Sequence, residues 1–344
     1  MERLNLLFKI CSLIILSFYF SLTSFSQDIH FSQYYFSPLT LNPALTGAYN
    51  GDYRFTFNYR NQWASVPVNY NTLSLAAEMP LTNPARYDRL AAGFIVYADR
   101  AGDSRFTASQ IYGSLGYSKV LGAKEHVISF GVQPGFVNKN YQPNRLTYDN
   151  QFNGDIYDEH IPIIENPSRT SISYFDVGAG LNFIYNNNSR SRISAGVSVY
   201  HFTFPVQSFY NDDLVTLDIK YTAHALAQFR LKNKKWDLLP AFMYRKQDSK
   251  QEIVPAMYAK YYFRPSYKGN EFSIMYGLSY RWRDACILSG TVQYNQWQAC
   301  LSYDINVSKF AKATSSYGAV EISAMYIITK VRNTNVCGKI CPIF

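Results

Sequence analysis

The chain has 344 residues, a formal net charge of +9, 47% hydrophobic residues and an unusual 30 tyrosines and 24 phenylalanines. Its positive charges are spread singly, the densest group being Lys232, Lys234 and Lys235, which excludes the basic runs of a nucleic-acid-binding protein and leaves no nucleic acid among the expected partners. Beyond residue 26 no apolar run reaches the roughly 18 residues of a membrane-crossing helix, and no polar linker divides the chain.

Residues 1–26 read as a secretory signal peptide. Arg3 and Lys9 charge its start, Ile10 to Phe20 are apolar, and Ser24 and Ser26 flank Phe25, so cleavage is expected near Ser26-Gln27. A retained anchor is the alternative, which a mature N-terminus at Gln27 would remove. Cys11 follows Phe8-Lys9-Ile10, without the small residues of a lipidation signal.

Residues 27–50 form a turn-rich segment. Pro38, Pro43, Asn42 directly before a proline, Gly47 and Gly51 rule out one long helix or strand. Yet Phe31, Tyr34, Tyr35, Phe36 and Leu41 make it too apolar for a solvated linker. The expectation is a compact element on the periplasmic side, partly inside a barrel mouth, as a plug or a docking element, with Asn42-Pro43 pinning a turn.

Residues 51–330 alternate. Phe175, Val177, Ala179, Leu181, Phe183 and Tyr185 share one face, and Tyr174, Asp176, Gly178, Gly180 and Asn182 the other. Trp297 to Ser308 and Val320 to Ile328 split the same way. Such segments, about ten residues long and separated by turns, mark an outer-membrane barrel; a soluble sandwich also alternates but needs no aromatic outer band. Fourteen segments follow: 52–61, 69–79, 89–99, 105–120, 126–138, 171–185, 191–201, 217–231, 235–246, 252–264, 271–281, 284–294, 297–308 and 318–329.

The fold class is therefore all-β, a transmembrane antiparallel β-barrel of about 14 strands with a short N-terminal periplasmic or lumenal segment, in contact with outer-membrane lipid. An even count returns both barrel ends to the periplasm, with short turns there and the long connections 140–170, 202–216 and 309–317 outside. Asp176, Asp218, Lys220, Arg230, Arg245, Lys260, Arg281 and Glu321 are expected to face the lumen. Charge at Leu181 should be costly and substitution at Asp176 or Asn182 milder. Arg60, Gln62 and Trp63 are expected at the external rim.

Residues 331–344 are a periplasmic tail in which Cys337 and Cys341 could close a disulfide. A two-residue turn at Asn295-Gln296 sets Cys286 opposite Ile305 and Cys300 opposite Thr291, on opposite faces, so those two thiols cannot pair.

Phe31 to Gly47, then Tyr59-Arg60-Asn61-Gln62-Trp63, Ser302 to Ser308, Gly318 to Tyr326 and the tail Cys341-Pro342-Ile343-Phe344 together resemble the PorP/SprF family of type IX secretion system membrane proteins. The tail departs at Ile343, where a basic residue would be expected. The resemblance implies an outer-membrane component of the Bacteroidetes export and gliding apparatus. It also implies association with a periplasmic ring lipoprotein and its partner proteins, and a cargo protein carrying a C-terminal export signal. Phe31, Gln33, Tyr34, Pro38, Leu41, Asn42, Pro43 and Gly47 are the candidate plug or partner-docking residues.

An enzyme is not expected. The five histidines, His30, His126, His160, His201 and His224, lack recurrent Ser or Asp framing, no nucleophile elbow appears, and no cofactor motif is present. Asp149, Asp155, Asp158 and Glu159 lack the ligand alternation and glycine of a calcium loop. The alternative function is an outer-membrane diffusion channel or substrate-specific porin, which single-channel conductance would distinguish.

Overall fold

The structure, a computed structural model, describes residues 28–63, 69–82, 88–122, 126–158, 160–162, 167–188, 190–233, 235–264, 272–308 and 311–329. The signal segment and the tail with Cys337 and Cys341 lie outside the described residues. The strands are β1 Tyr53–Gln62, β2 Tyr70–Pro80, β3 Asp88–Ala101, β4 Phe106–Leu121, β5 His126–Asn140, β6 Ser171–Asn188, β7 Ser191–Tyr200, β8 Lys220–Arg230, β9 Trp236–Gln247, β10 Lys250–Arg264, β11 Phe272–Arg281, β12 Ala285–Tyr294, β13 Trp297–Asn306 and β14 Tyr317–Ile328. Each pairs antiparallel with the next, and β1 closes on β14. The barrel of fourteen strands is the one expected. β8 departs most, starting at Lys220, because the chain before it folds back on itself: Val206 bridges Thr216, and the Leu217 amide donates to the Pro205 carbonyl at 2.9 Å.

Alternation places two different surroundings on the two faces of every strand. Phe175, Leu181 and Phe183 point outward and are exposed, whereas Tyr174, Asp176 and Asn182 point inward and are buried. Trp297 and Leu301 oppose Cys300, Ser302 and Asp304 in the same way. The outward face is a continuous apolar band of the kind that lipid covers. Aromatic girdles bound it. At one end Trp236, Tyr261, Phe263, Phe272 and Tyr294 touch ring to ring in sequence, and Trp297 stacks on Tyr326 at 4.2 Å. At the other end Trp63 meets Tyr70 and Tyr280 meets Trp282.

The three longest connections, 141–170, 201–219 and 307–316, all leave the same end of the barrel, while the β6–β7 and β12–β13 turns at the opposite end have two residues each. We call these the loop end and the turn end; by the rule for such barrels they are external and periplasmic. Two prolines mark the ladders. The β4–β5 register skips Gly113, Ser114, Gln133 and Pro134, and the β8–β9 register skips Ala227, Gln228, Leu239 and Pro240, where proline has no N–H to give.

Candidate functional site

The lumen is filled by residues 28–52. This plug begins at the loop end, where Asp28 meets Lys220 and His201, and reaches the turn end at Gly51, whose neighbours are Ile327 and Ile328. Its middle consists of a 3-10 turn at Tyr34–Phe36, a short helix α1 at Pro38–Leu41 and a second 3-10 turn at Pro43–Leu45. Pro38 and Pro43 each begin a turn, where their fixed φ is pre-organised and a missing N–H is harmless. Asn42 is extended at φ −160°, ψ 123°, as a residue before proline must be, and its Oδ1 accepts the Ala44 amide at 2.9 Å.

The plug joins two apolar clusters. Phe31 and Leu39 pack with Ile95, Tyr97, Tyr112, Val137, Tyr174 and Leu217. Tyr34, Tyr35, Phe36 and Leu41 pack with Leu239, Met243, Tyr258, Met275, Cys300 and Met325. Burying each of these larger side chains contributes about 1.5–3 kcal/mol.

Toward the loop end, charge holds the plug backbone. The Glu321 carboxylate accepts the Ser32 and Gln33 amides at 2.8 and 2.9 Å. Ser32 Oγ donates to Asp304 at 2.8 Å, and Arg60 and Arg281 both reach Asp304, at 2.9 and 3.1 Å. Arg281 continues to Glu252, which Arg245 also contacts, both at 3.1 Å. On the opposite wall His201 Nδ1 lies 2.7 Å from Asp176, to which Tyr112 also donates, and Lys220 pairs with Asp28. Burial would raise the Asp28 carboxyl, but the Lys220 charge and the His201 hydrogen bond outweigh it and hold it well below the ordinary carboxylate value. Burial likewise works against the His201 imidazolium, and the hydrogen bonds to Asp176 and Asp28 prevail, raising it.

In the middle, contact runs through hydrogen bonds from side chains to backbone carbonyls. Asn42 Nδ2 donates to the Leu181 and Val197 carbonyls at 2.9 and 3.2 Å, Ser198 donates to the Leu41 carbonyl, and Tyr200 reaches those of Leu39 and Thr40. Gly131 and Gly180, paired across β5 and β6, make room. A Cβ at 180 would stand 1.9 Å from Asn42 Oδ1. At the turn end Glu78 takes Arg54 bidentately at 2.8 Å and the Gly47 amide at 3.0 Å, while Arg89 donates to the Gly47, Tyr49 and Gly51 carbonyls. Gly47 has φ +73°, a conformation that suits glycine.

All eight candidate residues of the opening segment thus lie together in the lumen, and all are buried. Gly47 lies at the turn end, near the expected periplasmic mouth, but the segment runs on through the lumen. Phe31 and Gln33 sit toward the loop end, and none of the eight offers an exposed surface for docking. Of the eight charged residues expected inside, Asp218 and Arg230 are exposed, Asp218 because β8 begins after it. Arg60 corrects another expectation: it points inward, shares the parity of Arg54 and Asn58, and is buried in the Glu321 network rather than placed at the rim. Asp176 and Asn182 are engaged by neighbours rather than open to the lumen, which argues against the milder effect expected of substitution there. Asp176 anchors Tyr112 and His201, and Asn182 Oδ1 accepts Ser194 and faces His224. Arg54, Glu78 and Arg89 went unmarked in the sequence; their inward parity was the available signal.

Small spaces remain between plug and wall. One of about 50 Å3 lies among Tyr35, Pro38, Leu41, Leu45, Leu226 and Met325, and one of about 20 Å3 beside Asp28, Tyr112 and His201. A closed antiparallel barrel with an apolar belt, two aromatic girdles and a lumen occupied by its own N-terminal segment defines a plugged outer-membrane β-barrel protein.

The family described as "Type IX secretion system membrane protein PorP/SprF" matches residues 23–326. The chain belongs to that family. Among solved structures, the Pseudomonas putida toluene transporter TodX is similar over 87% of this chain and 94% of its own, at 10% identity and a TM-score of 0.49. A Pseudomonas aeruginosa FadL homologue is similar over 83% and 92%, at 11% identity and a TM-score of 0.42. CdiB from Acinetobacter baumannii is similar over 80% and 60%, at 7% identity and a TM-score of 0.41. No curated protein sequence matches the chain.

Proposed function

We propose that this protein is a non-enzymatic outer-membrane subunit of the type IX export machinery, and of gliding machinery where that is present, whose lumen its own N-terminal segment holds shut. In this reading it associates with a periplasmic ring lipoprotein and its partner proteins, and supports the export or surface attachment of cargo bearing a C-terminal export signal. The observation that carries the reading is that Phe31 to Gly47, the block by which the chain resembles its family, is what fills the lumen. An open diffusion channel would need that space.

With the plug residues buried, the periplasmic partner meets the turn end instead, where Arg230, Lys232 and Lys235 are exposed. Crosslinking in intact envelopes tests the association: a cysteine at position 232 should capture a periplasmic secretion component, and deleting the gene should stop export of its cargo. In planar bilayers the purified full chain should show little steady conductance. A large ungated conductance, with no crosslinked partner and normal export, would replace this reading with the porin.

A further inference from the structure

We propose that the loop end carries a binding site for the phosphate groups of an acylated saccharide lipid of the outer leaflet, built from Arg100, Arg105 and Arg145. Arg100 lies near the end of β3 on its outward, exposed face. Arg105 lies across the tight turn that joins Ala101 to its partner Phe106. Arg145 is brought to the same corner by the long β5–β6 connection, in which the Gln142 amide donates to the Ser104 carbonyl at 2.8 Å and the Arg145 amide to the Gln142 carbonyl at 3.2 Å.

Three guanidiniums are therefore gathered where nothing in the described chain neutralises them. Several buried arginines of this protein are paired with carboxylates: Arg54 with Glu78, Arg60 with Asp304 and Glu321, Arg281 with Glu252 and Asp304. Among the described residues Arg100, Arg105 and Arg145 make no ion pair, and Arg105 Nε is shielded from solvent without an acceptor. Asp103 in the same turn is exposed and pairs with none of them. Repulsion from Arg145, then partial burial, then Arg100 lower the proton affinity of Arg105. Like charges held this close destabilise the fold unless an anion joins them, and arginine's planar fork suits a phosphate monoester bidentately.

The surface beneath fits the rest of such a lipid. Along β3, toward mid-membrane, Ala98 is paired with Ser109, two small outward residues. Four residues from Arg100, about 13 Å at the rise of a strand, Val96, Ile111 and Phe136 form an exposed apolar row across β3, β4 and β5. Cation above and acyl-binding surface below, at headgroup and hydrocarbon depth, is the arrangement by which basic pockets on membrane proteins take anionic lipids.

Native mass spectrometry of the full chain in detergent tests this, with bisphosphorylated lipid A, its dephosphorylated form and inorganic phosphate as probes. The wild type should retain the bisphosphorylated lipid and not the dephosphorylated one. Arg100→Gln/Arg105→Gln/Arg145→Gln should lose at least roughly tenfold in retained lipid, whereas Arg283→Gln/Lys312→Gln, also at the loop end, should match the wild type. Arg145→Gln alone, on an exposed loop, should show a partial loss, so the proposal stays testable if the triple variant does not fold. Equal retention by the arginine variants, or equal retention of the dephosphorylated lipid, would overturn it. Displacement of the lipid by inorganic phosphate at equal concentration would overturn the lipid assignment in favour of a free-phosphate site.

Discussion

Gly131 of the barrel wall lies directly against Pro43 of the plug: a Cβ at position 131 would stand 2.2 Å from the Pro43 carbonyl oxygen. Backbone cannot yield there as a flexible side-chain tip would. Gly131→Val should therefore unseat the middle of the plug at a local cost of about 1–3 kcal/mol, leaving a barrel with its heat-modifiable gel mobility intact. Gly113→Val, at an outward position with nothing within 4 Å, is the matched control. Limited proteolysis reads the difference: the valine at 131 should expose sites between residues 31 and 51, and the valine at 113 should not. Equal resistance in the two would mean that the plug does not depend on this contact.

The Glu321 carboxylate serves two consecutive plug amides and Arg60 at once. Removing it strands two buried N–H donors and leaves Arg60 with Asp304 as its remaining carboxylate, at about 1–3 kcal/mol for each buried group left unsatisfied. Glu321→Ala should accelerate hydrogen exchange at residues 31–36 while the β4, β5 and β6 amides stay protected. Glu321→Gln keeps an acceptor oxygen and should fall between. Unchanged exchange in the alanine variant would remove this network from any role in holding the plug.

Much of the barrel was legible because each strand has lipid on one side and packed lumen on the other, so hydrophobicity repeats every two residues. Register was legible where a turn is short: the two residues Asn295-Gln296 fix Cys286 opposite Ile305 and Thr291 opposite Cys300, as the structure has them. What was not legible depends on closure. Ser32 meets Glu321 only because β1 joins β14, and no local pattern announces a contact 289 residues long. The glycines facing the lumen read as a small polar face, and they become a seat only once Asn42 and Pro43 occupy it. The direction of the plug was also hidden. A segment just before β1 suggests the turn end, but 25 residues from Asp28 to Asp52, shortened by the Pro38 and Pro43 turns, cross the whole lumen.

Cys300 reports on the plug directly. Its thiol is buried, in contact with Gln33 Oε1 and Thr291 Oγ1 and 3.8 Å from the Tyr35 hydroxyl. In a chain with Cys286, Cys337 and Cys341 replaced by serine, a membrane-impermeant maleimide should leave Cys300 unmodified. Deleting residues 31–47 should make it reactive, because the lumen wall around it carries Ser302, Ser323, Asn58 and Thr56, polar groups suited to water. Fast labelling of the undeleted protein would show that the lumen is open as it stands.

Leu181 tests the membrane face itself. It sits mid-strand on β6, half exposed, with Phe130 of β5 and Val197 of β7 as outward neighbours in register. Nothing polar is close enough on that face to receive a charge, so a guanidinium there must drag water into hydrocarbon, at about 2–4 kcal/mol near mid-membrane. Leu181→Ala removes apolar contact without adding charge and isolates that cost. Reversible unfolding in lipid vesicles should place Leu181→Arg below Leu181→Ala by about that amount. Asn182→Arg should fail for another reason, since its site is packed against Ser194, His224 and the backbone seat of Asn42. Its signature is loss of plug protection rather than loss of lipid compatibility. Equal stability of the arginine and alanine variants at 181 would mean that this face does not meet lipid.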